Sequence, residues 1–92
     1  MVMVNVVDTQ FQPANITIKP GQTVMWMRSA SSPHTVTSGS DPSDPNTGKL
    51  FDHELSSDGD SFQFTFNDAG TFPYFCRFHV SMGMKGTVTV AP

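Results

Sequence analysis

The chain has 92 residues, 37% hydrophobic and 14% charged, with one cysteine and a formal net charge of −3; that length fits one domain of ordinary size, spanning residues 1–92, and no second one. Five cations, Lys19, Arg28, Lys49, Arg77 and Lys85, are dispersed among eight acids, which argues against nucleic acid or an anionic membrane as partner, since both need a basic face. Cys76 is alone and cannot form an internal disulfide, so stability must come from an apolar core, a metal or a partner.

Alanine is scarce, while Val, Thr, Ser, Gly, Pro and Phe recur at the spacings of strands and turns, so the chain reads as all-β. Residues 2–7 form the first expected strand, 15–18 the second and 23–27 the third. Pro20-Gly21 joins the last two, proline fixing φ and glycine permitting the positive φ of a type II turn. The polar stretch 37–50 reads as a surface loop. Residues 62–66 alternate strictly and put Phe62, Phe64 and Phe66 on one face. Asn67-Asp68-Ala69-Gly70 turns the chain into a strand at 71–76, and 86–90 closes it. In the 71–76 strand, Phe72, Tyr74 and Cys76 share one face, which turns Phe75 outward, to solvent or a neighbour. About seven strands with frequent turns predict a two-sheet sandwich or small barrel. No window approaches the roughly 18 apolar residues of a membrane-spanning helix, and the N-terminus lacks a signal pattern, so a soluble chain without membrane insertion is expected.

The segment from Cys76 to Gly86 carries a thiol, the His79 imidazole and the Met82 and Met84 thioethers between two strands. Thiolate, imidazole and thioether together suit copper in both common oxidation states. A second imidazole is needed for a trigonal site, and His34, in Pro33-His34-Thr35-Val36, supplies it.

Phe11-x-Pro13, Ile16-x-Ile18, Pro20-Gly21, Val24-x-Trp26, Pro33-His34-Thr35-Val36, Phe51-Asp52, the run from Gly70 to Cys76, and C-x2-H-x4-M-x-G-x-V together resemble the cupredoxins, most closely the plastocyanin and pseudoazurin group, over nearly the whole chain. The resemblance implies a Greek-key β-sandwich or barrel of about seven to eight strands that binds one type 1 copper ion through His34, Cys76, His79 and Met84. Both Met82 and Met84 are candidates for the axial place; in the family the ligand lies two residues before the glycine opening the last strand, which is Met84 before Gly86. Met82 then belongs to an apolar docking rim, with Pro33 and Val80, or to side-chain packing.

The implied function is one-electron transfer between redox proteins, a cytochrome or copper enzyme docking near His79, by a monomer that is not itself an enzyme. A periplasmic or other extracytoplasmic location follows from where such proteins usually work. Two rivals are a copper site open to a small molecule such as nitric oxide, against which Met84 argues, and an electron-transfer domain of a larger copper oxidase or reductase.

Two positions depart from the family pattern. Phe78 replaces the usual proline between cysteine and histidine and keeps an N–H that could donate to the Cys76 sulfur. Thr35 replaces the usual asparagine, with a shorter reach across to the ligand loop. Asp41, Asp44, Asp58 and Asp60 read as solvated loop acids or as a steering patch beside Phe75. His53 reads as an exposed histidine between acids, and Trp26, Phe62, Phe64, Phe66, Phe72 and Tyr74 as core.

Overall fold

Period-two alternation builds this chain. Val4 and Val6, Val24 and Trp26, and Val88 and Val90 each recur at every second position and are buried, while their neighbours turn away. The computed structural model describes residues 1–57 and 59–92. Their strands are β1 (Val2–Val7), β2 (Gln10–Gln12), β3 (Asn15–Ile18), β4 (Gln22–Arg28), β5 (His34–Ser38), β6 (Asp52–Leu55), β7 (Ser61–Phe66), β8 (Gly70–Phe75) and β9 (Lys85–Val90), with a 3-10 turn at Val80–Met82.

The strands form two sheets, in the orders β2-β1-β4-β7 and β3-β9-β8-β5-β6. Parallel pairs β1·β4 and β3·β9 sit among antiparallel ones. This is the cupredoxin-like β-sandwich expected, with β2 and β6 added to the six strands read from the sequence and the segment that carries His34 forming β5. β2 has three residues, and β6 is Asp-His-Glu-Leu with only Leu55 buried, so neither carries a legible alternation.

Trp26 centres the layer between the sheets, its ring 5.3 Å from Tyr74, 5.6 Å from Phe51 and 5.8 Å from Phe62. Trp26, Phe66 and Tyr74 are buried core and Phe62, Phe64 and Phe72 pack half-buried against it, as expected, and burial pushes the Tyr74 hydroxyl up to about 12. Gly21, at φ 91°, makes the turn before β4. Gly86 has no room for a side chain, because a Cβ there would collide with Ala14 O and the Tyr74 ring.

Three local expectations are corrected. Thr37 and Ser38 belong to β5 and are buried. Their hydroxyls are satisfied, Thr37 donating to Asp52 and Ser38 accepting from the amides of Leu50 and Phe51. β8 ends at Phe75, leaving Cys76 just beyond it. Phe75 is turned away from the inter-sheet cluster but fully buried. The polar loop is tied back on both sides of it, Gly39 N–H donating to Pro73 O at 2.9 Å and Gly48 lying against the Arg77 guanidinium.

Candidate metal centre

The loop between β8 and β9 is shaped by bonds among the candidate ligands' own backbones. Cys76 N–H donates to Met84 O at 3.1 Å, and Met84 N–H and Met82 N–H both donate to His79 O, at 3.3 and 2.9 Å. His34 reaches the same end of the sandwich from β5. That strand runs antiparallel to β8 with Thr37 opposite Phe75, and continuing the register sets residues 34–36 beside 76–78.

The side chains converge. Cys76 Sγ lies 3.6 Å from His34 Nδ1 and 3.6 Å from His79 Nδ1, and all three donor atoms fall within 4.8 Å of one another. The two imidazole rings are 4.7 Å apart. His34, Cys76 and Met84 are completely buried and His79 is half-buried. Met82 is 65% exposed, which supports Met84 over Met82 as the inward thioether. Donors about 3.6 Å apart leave space for an ion roughly 2 Å from each, a length ordinary for first-row-metal bonds to imidazole and thiolate. A thiolate, two imidazoles and a neutral thioether are the donor chemistry of a type 1 copper site, so the residues fit the metal.

The far side of the His34 ring is also engaged. Its Nε2 is 3.4 Å from Ser32 Oγ and 3.6 Å from Asp8 Oδ1. The hydroxyls of Ser32 and Ser31 donate to the two Asp8 oxygens, at 2.9 and 3.1 Å. Burial first, and the neighbouring His79 second, hold His34 below its ordinary value of 6.5, with Asp8 opposing them. The hydrogen bonds from Ser32 and then Ser31 hold Asp8 below its ordinary 3.8.

Next to Cys76, the Arg77 amide donates to Thr35 Oγ1 at 2.8 Å, the cross-link to the ligand loop anticipated for this threonine despite its short reach. Thr35 and Thr37 hydroxyls are 3.0 Å apart, Thr37 donates to Asp52 Oδ1 at 2.9 Å, and Arg77 Nη2 donates to Asp52 Oδ2 at 2.7 Å. The Arg77 guanidinium lowers Asp52, and Asp52 raises Arg77. The amide found on the Cys76 sulfur is that of Thr35, at 3.5 Å; Phe78 was the expected donor. Thr35 lies on β5, so the amide comes from that strand rather than from the ligand loop.

The other candidates stand apart. His53 is exposed on β6, its ring stacked 5.1 Å from Phe62, and is not in the metal-ligand cluster found among the described residues. Asp41, Asp44 and Asp60 accept hydrogen bonds from amides and hydroxyls two to four residues away, which makes them builders of local turns. Asp58 lies outside the described residues. Asp8 and Ser32 carry no functional signal in the sequence, and Asp52 and Arg77 enter it only as part of Phe51-Asp52 and as one of five dispersed cations. Asp8 and Ser32 are 24 residues apart and Asp52 and Arg77 are 25 apart, with no spacing pattern to connect them.

The chain is 44% identical over 84 residues to plastocyanin of Scenedesmus fuscus, covering 87% of this chain and 85% of that protein. It is 39% identical over 83 residues to a chloroplastic plastocyanin of Tetradesmus obliquus, covering 87% of this chain but only 57% of that longer protein. A solved purple cupredoxin from Nitrosopumilus maritimus superposes with a TM-score of 0.81 at 28% identity, covering 99% of this chain and 100% of that one. The profile of the copper-binding proteins of the plastocyanin/azurin family matches residues 1–91. With its thiol, imidazoles and buried thioether gathered at one end of a cupredoxin sandwich, the chain belongs to that family.

Proposed function

We propose that His34, Cys76, His79 and Met84 hold one type 1 copper ion and that the protein carries single electrons between redox proteins. The observation that carries this reading is the convergence of Cys76 Sγ with two imidazole nitrogens at 3.6 Å each. When bound, copper supplies the one-electron chemistry, cycling between Cu(I) and Cu(II).

The chain's own residues do the rest. Cys76 supplies the thiolate, His34 and His79 the imidazoles, and Met84 a weak soft contact. The backbone bonds joining Cys76, His79 and Met84, and the Thr35–Arg77 bond, hold these groups in place, so little needs to rearrange when the charge changes. Complete burial of His34, Cys76 and Met84 keeps water from the donors.

Electrons enter and leave at His79, the least buried of the four. Exposed Pro33, Phe78 and Met82, with half-buried Val80, form the apolar rim on which a cytochrome or a copper enzyme docks. The protein works as a monomer, with no catalytic step of its own. Family membership supports a periplasmic or other extracytoplasmic compartment, and among the described residues no helix is long and apolar enough to cross a membrane.

A redox titration of the copper-loaded protein tests the proposal. A reversible one-electron transition with one copper per chain, and a spectrum unmoved by azide or nitric oxide, is expected. A spectrum that shifts with either small molecule would favour an open, reactive site.

A further inference from the structure

The two nitrogens of His34 face different partners. Nδ1 points to the Cys76 sulfur at 3.6 Å, so it must keep a lone pair if it is to ligate. In a neutral imidazole the hydrogen then sits on Nε2. That atom faces Ser32 Oγ at 3.4 Å and Asp8 Oδ1 at 3.6 Å.

The donors and acceptors balance along one line. Ser32 gives its hydroxyl hydrogen to Asp8 Oδ1 at 2.9 Å and keeps lone pairs for the His34 Nε2–H. The other Asp8 oxygen accepts from Ser31, and Arg28 Nε donates to Ser32 O at 2.8 Å. Ser32 is thus held from two sides, and its hydroxyl is aimed. A carboxylate at the end of such a line fixes ring orientation and makes the ligating nitrogen more basic.

We propose that Asp8, acting through the Ser32 hydroxyl, is a positioning residue for His34: it holds the ring with hydrogen on Nε2 and the Nδ1 lone pair toward Cys76, and it biases bound copper toward Cu(II). This rests on the copper reading above. The bias has a simple origin, because an anion one hydroxyl away from a ligand favours the more positive ion. Arg28, on the other side of Ser32, partly offsets it.

Asp8→Asn keeps the shape and an acceptor oxygen but removes the charge, and Asp8→Ala removes both. Asp68→Asn makes the same change in net charge in the turn before β8, separated from Cys76 by a six-residue strand, about 20 Å. In Asp8→Asn, Cu(II) affinity is expected to fall about tenfold relative to Cu(I), which raises the reduction potential by about 59 mV for one electron. Asp8→Ala is expected to shift at least as far, and Asp68→Asn much less.

A second readout uses copper-free protein. Nitrogen-15 NMR of the His34 ring is expected to show hydrogen on Nε2 in the parent and a mixture of tautomers in Asp8→Ala. Potentials of both Asp8 variants matching that of Asp68→Asn, or hydrogen on Nδ1 in the parent, would overturn the proposal. If the parent takes up no copper as a one-electron site, the copper reading fails, and the tautomer measurement still decides the role of Asp8.

Discussion

The amide of Arg77 donates to the hydroxyl of Thr35 at 2.8 Å across a separation of 42 residues. That bond begins a ring of polar groups, Thr35, Thr37, Asp52 and back to the Arg77 guanidinium, so the residue after the ligand thiol is held through both backbone and side chain. Since Arg77 N–H gives its hydrogen to Thr35 and Thr37 gives its own to Asp52, Thr35 must donate to Thr37. Thr35→Val breaks two links and leaves the Arg77 amide unpaired, a loss of roughly 1 to 2 kcal/mol. Urea unfolding of the copper-loaded protein is expected to show that loss, with Thr35→Ser keeping most of the stability. Equal midpoints for parent and Thr35→Val would mean the hydroxyl is idle.

The Asp52–Arg77 pair gives a pH dependence of known sign. Arg77 depresses Asp52 in the folded chain relative to its ordinary 3.8, so the pair's stabilisation is present above that value and is lost as pH falls through the lower, folded one. Both side chains are 40% exposed, which limits the contribution to less than about 1 kcal/mol. Asp52→Asn is therefore expected to be slightly less stable than the parent at pH 7 and to approach it below about pH 3. Chemical denaturation at the two pH values measures this; a gap that widens in acid would contradict the sign.

The candidate ligands are legible because their chemistry is rare and their spacing tight. A thiol, an imidazole and two thioethers occur within nine residues, and only His34 had to be brought from elsewhere. The core was legible where alternation is strict, as from Phe62 to Phe66. What escaped depends on distant segments meeting. Nothing local marks Asp8 as a neighbour of His34 Nε2, because the β1–β2 turn and the segment before β5 are brought together by the pairing of β1 with β4. Phe75 departs from its expected outward position because alternation tells which side of a sheet a residue faces, not whether that side is covered. The Cys76 sulfur likewise receives its amide from β5, which spacing within the ligand loop could not reveal.

Copper bound by His34 and by the loop from Cys76 to Met84 bridges β5 to the β8–β9 connection. Binding to the folded state alone stabilises it by about 4 kcal/mol at a thousandfold excess of free ion over Kd. For a chain this short, that corresponds to roughly 15 °C or more. Calorimetry is expected to show the copper-free protein melting lower by that order. Coincident melting would mean the apolar core holds the fold unaided.

Met82 is 65% exposed in the turn after His79. Replacing it by lysine sets like charges against each other when two molecules meet at this face, and is expected to slow electron self-exchange roughly tenfold at low salt, with recovery at high salt. Line broadening in mixtures of oxidised and reduced protein measures the rate, and the visible spectrum is expected to stay as in the parent. An unchanged rate would move the docking face away from His79.

The copper reading depends on the Cys76 thiolate, which lies beside two imidazoles. The most direct measurement is the visible spectrum of the copper-loaded protein and of Cys76→Ala prepared in the same way. The parent is expected to show intense sulfur-to-copper absorption, and the variant to lose it while keeping the sandwich fold by circular dichroism. A Cys76→Ala protein that remained as intensely coloured with copper would contradict the assignment.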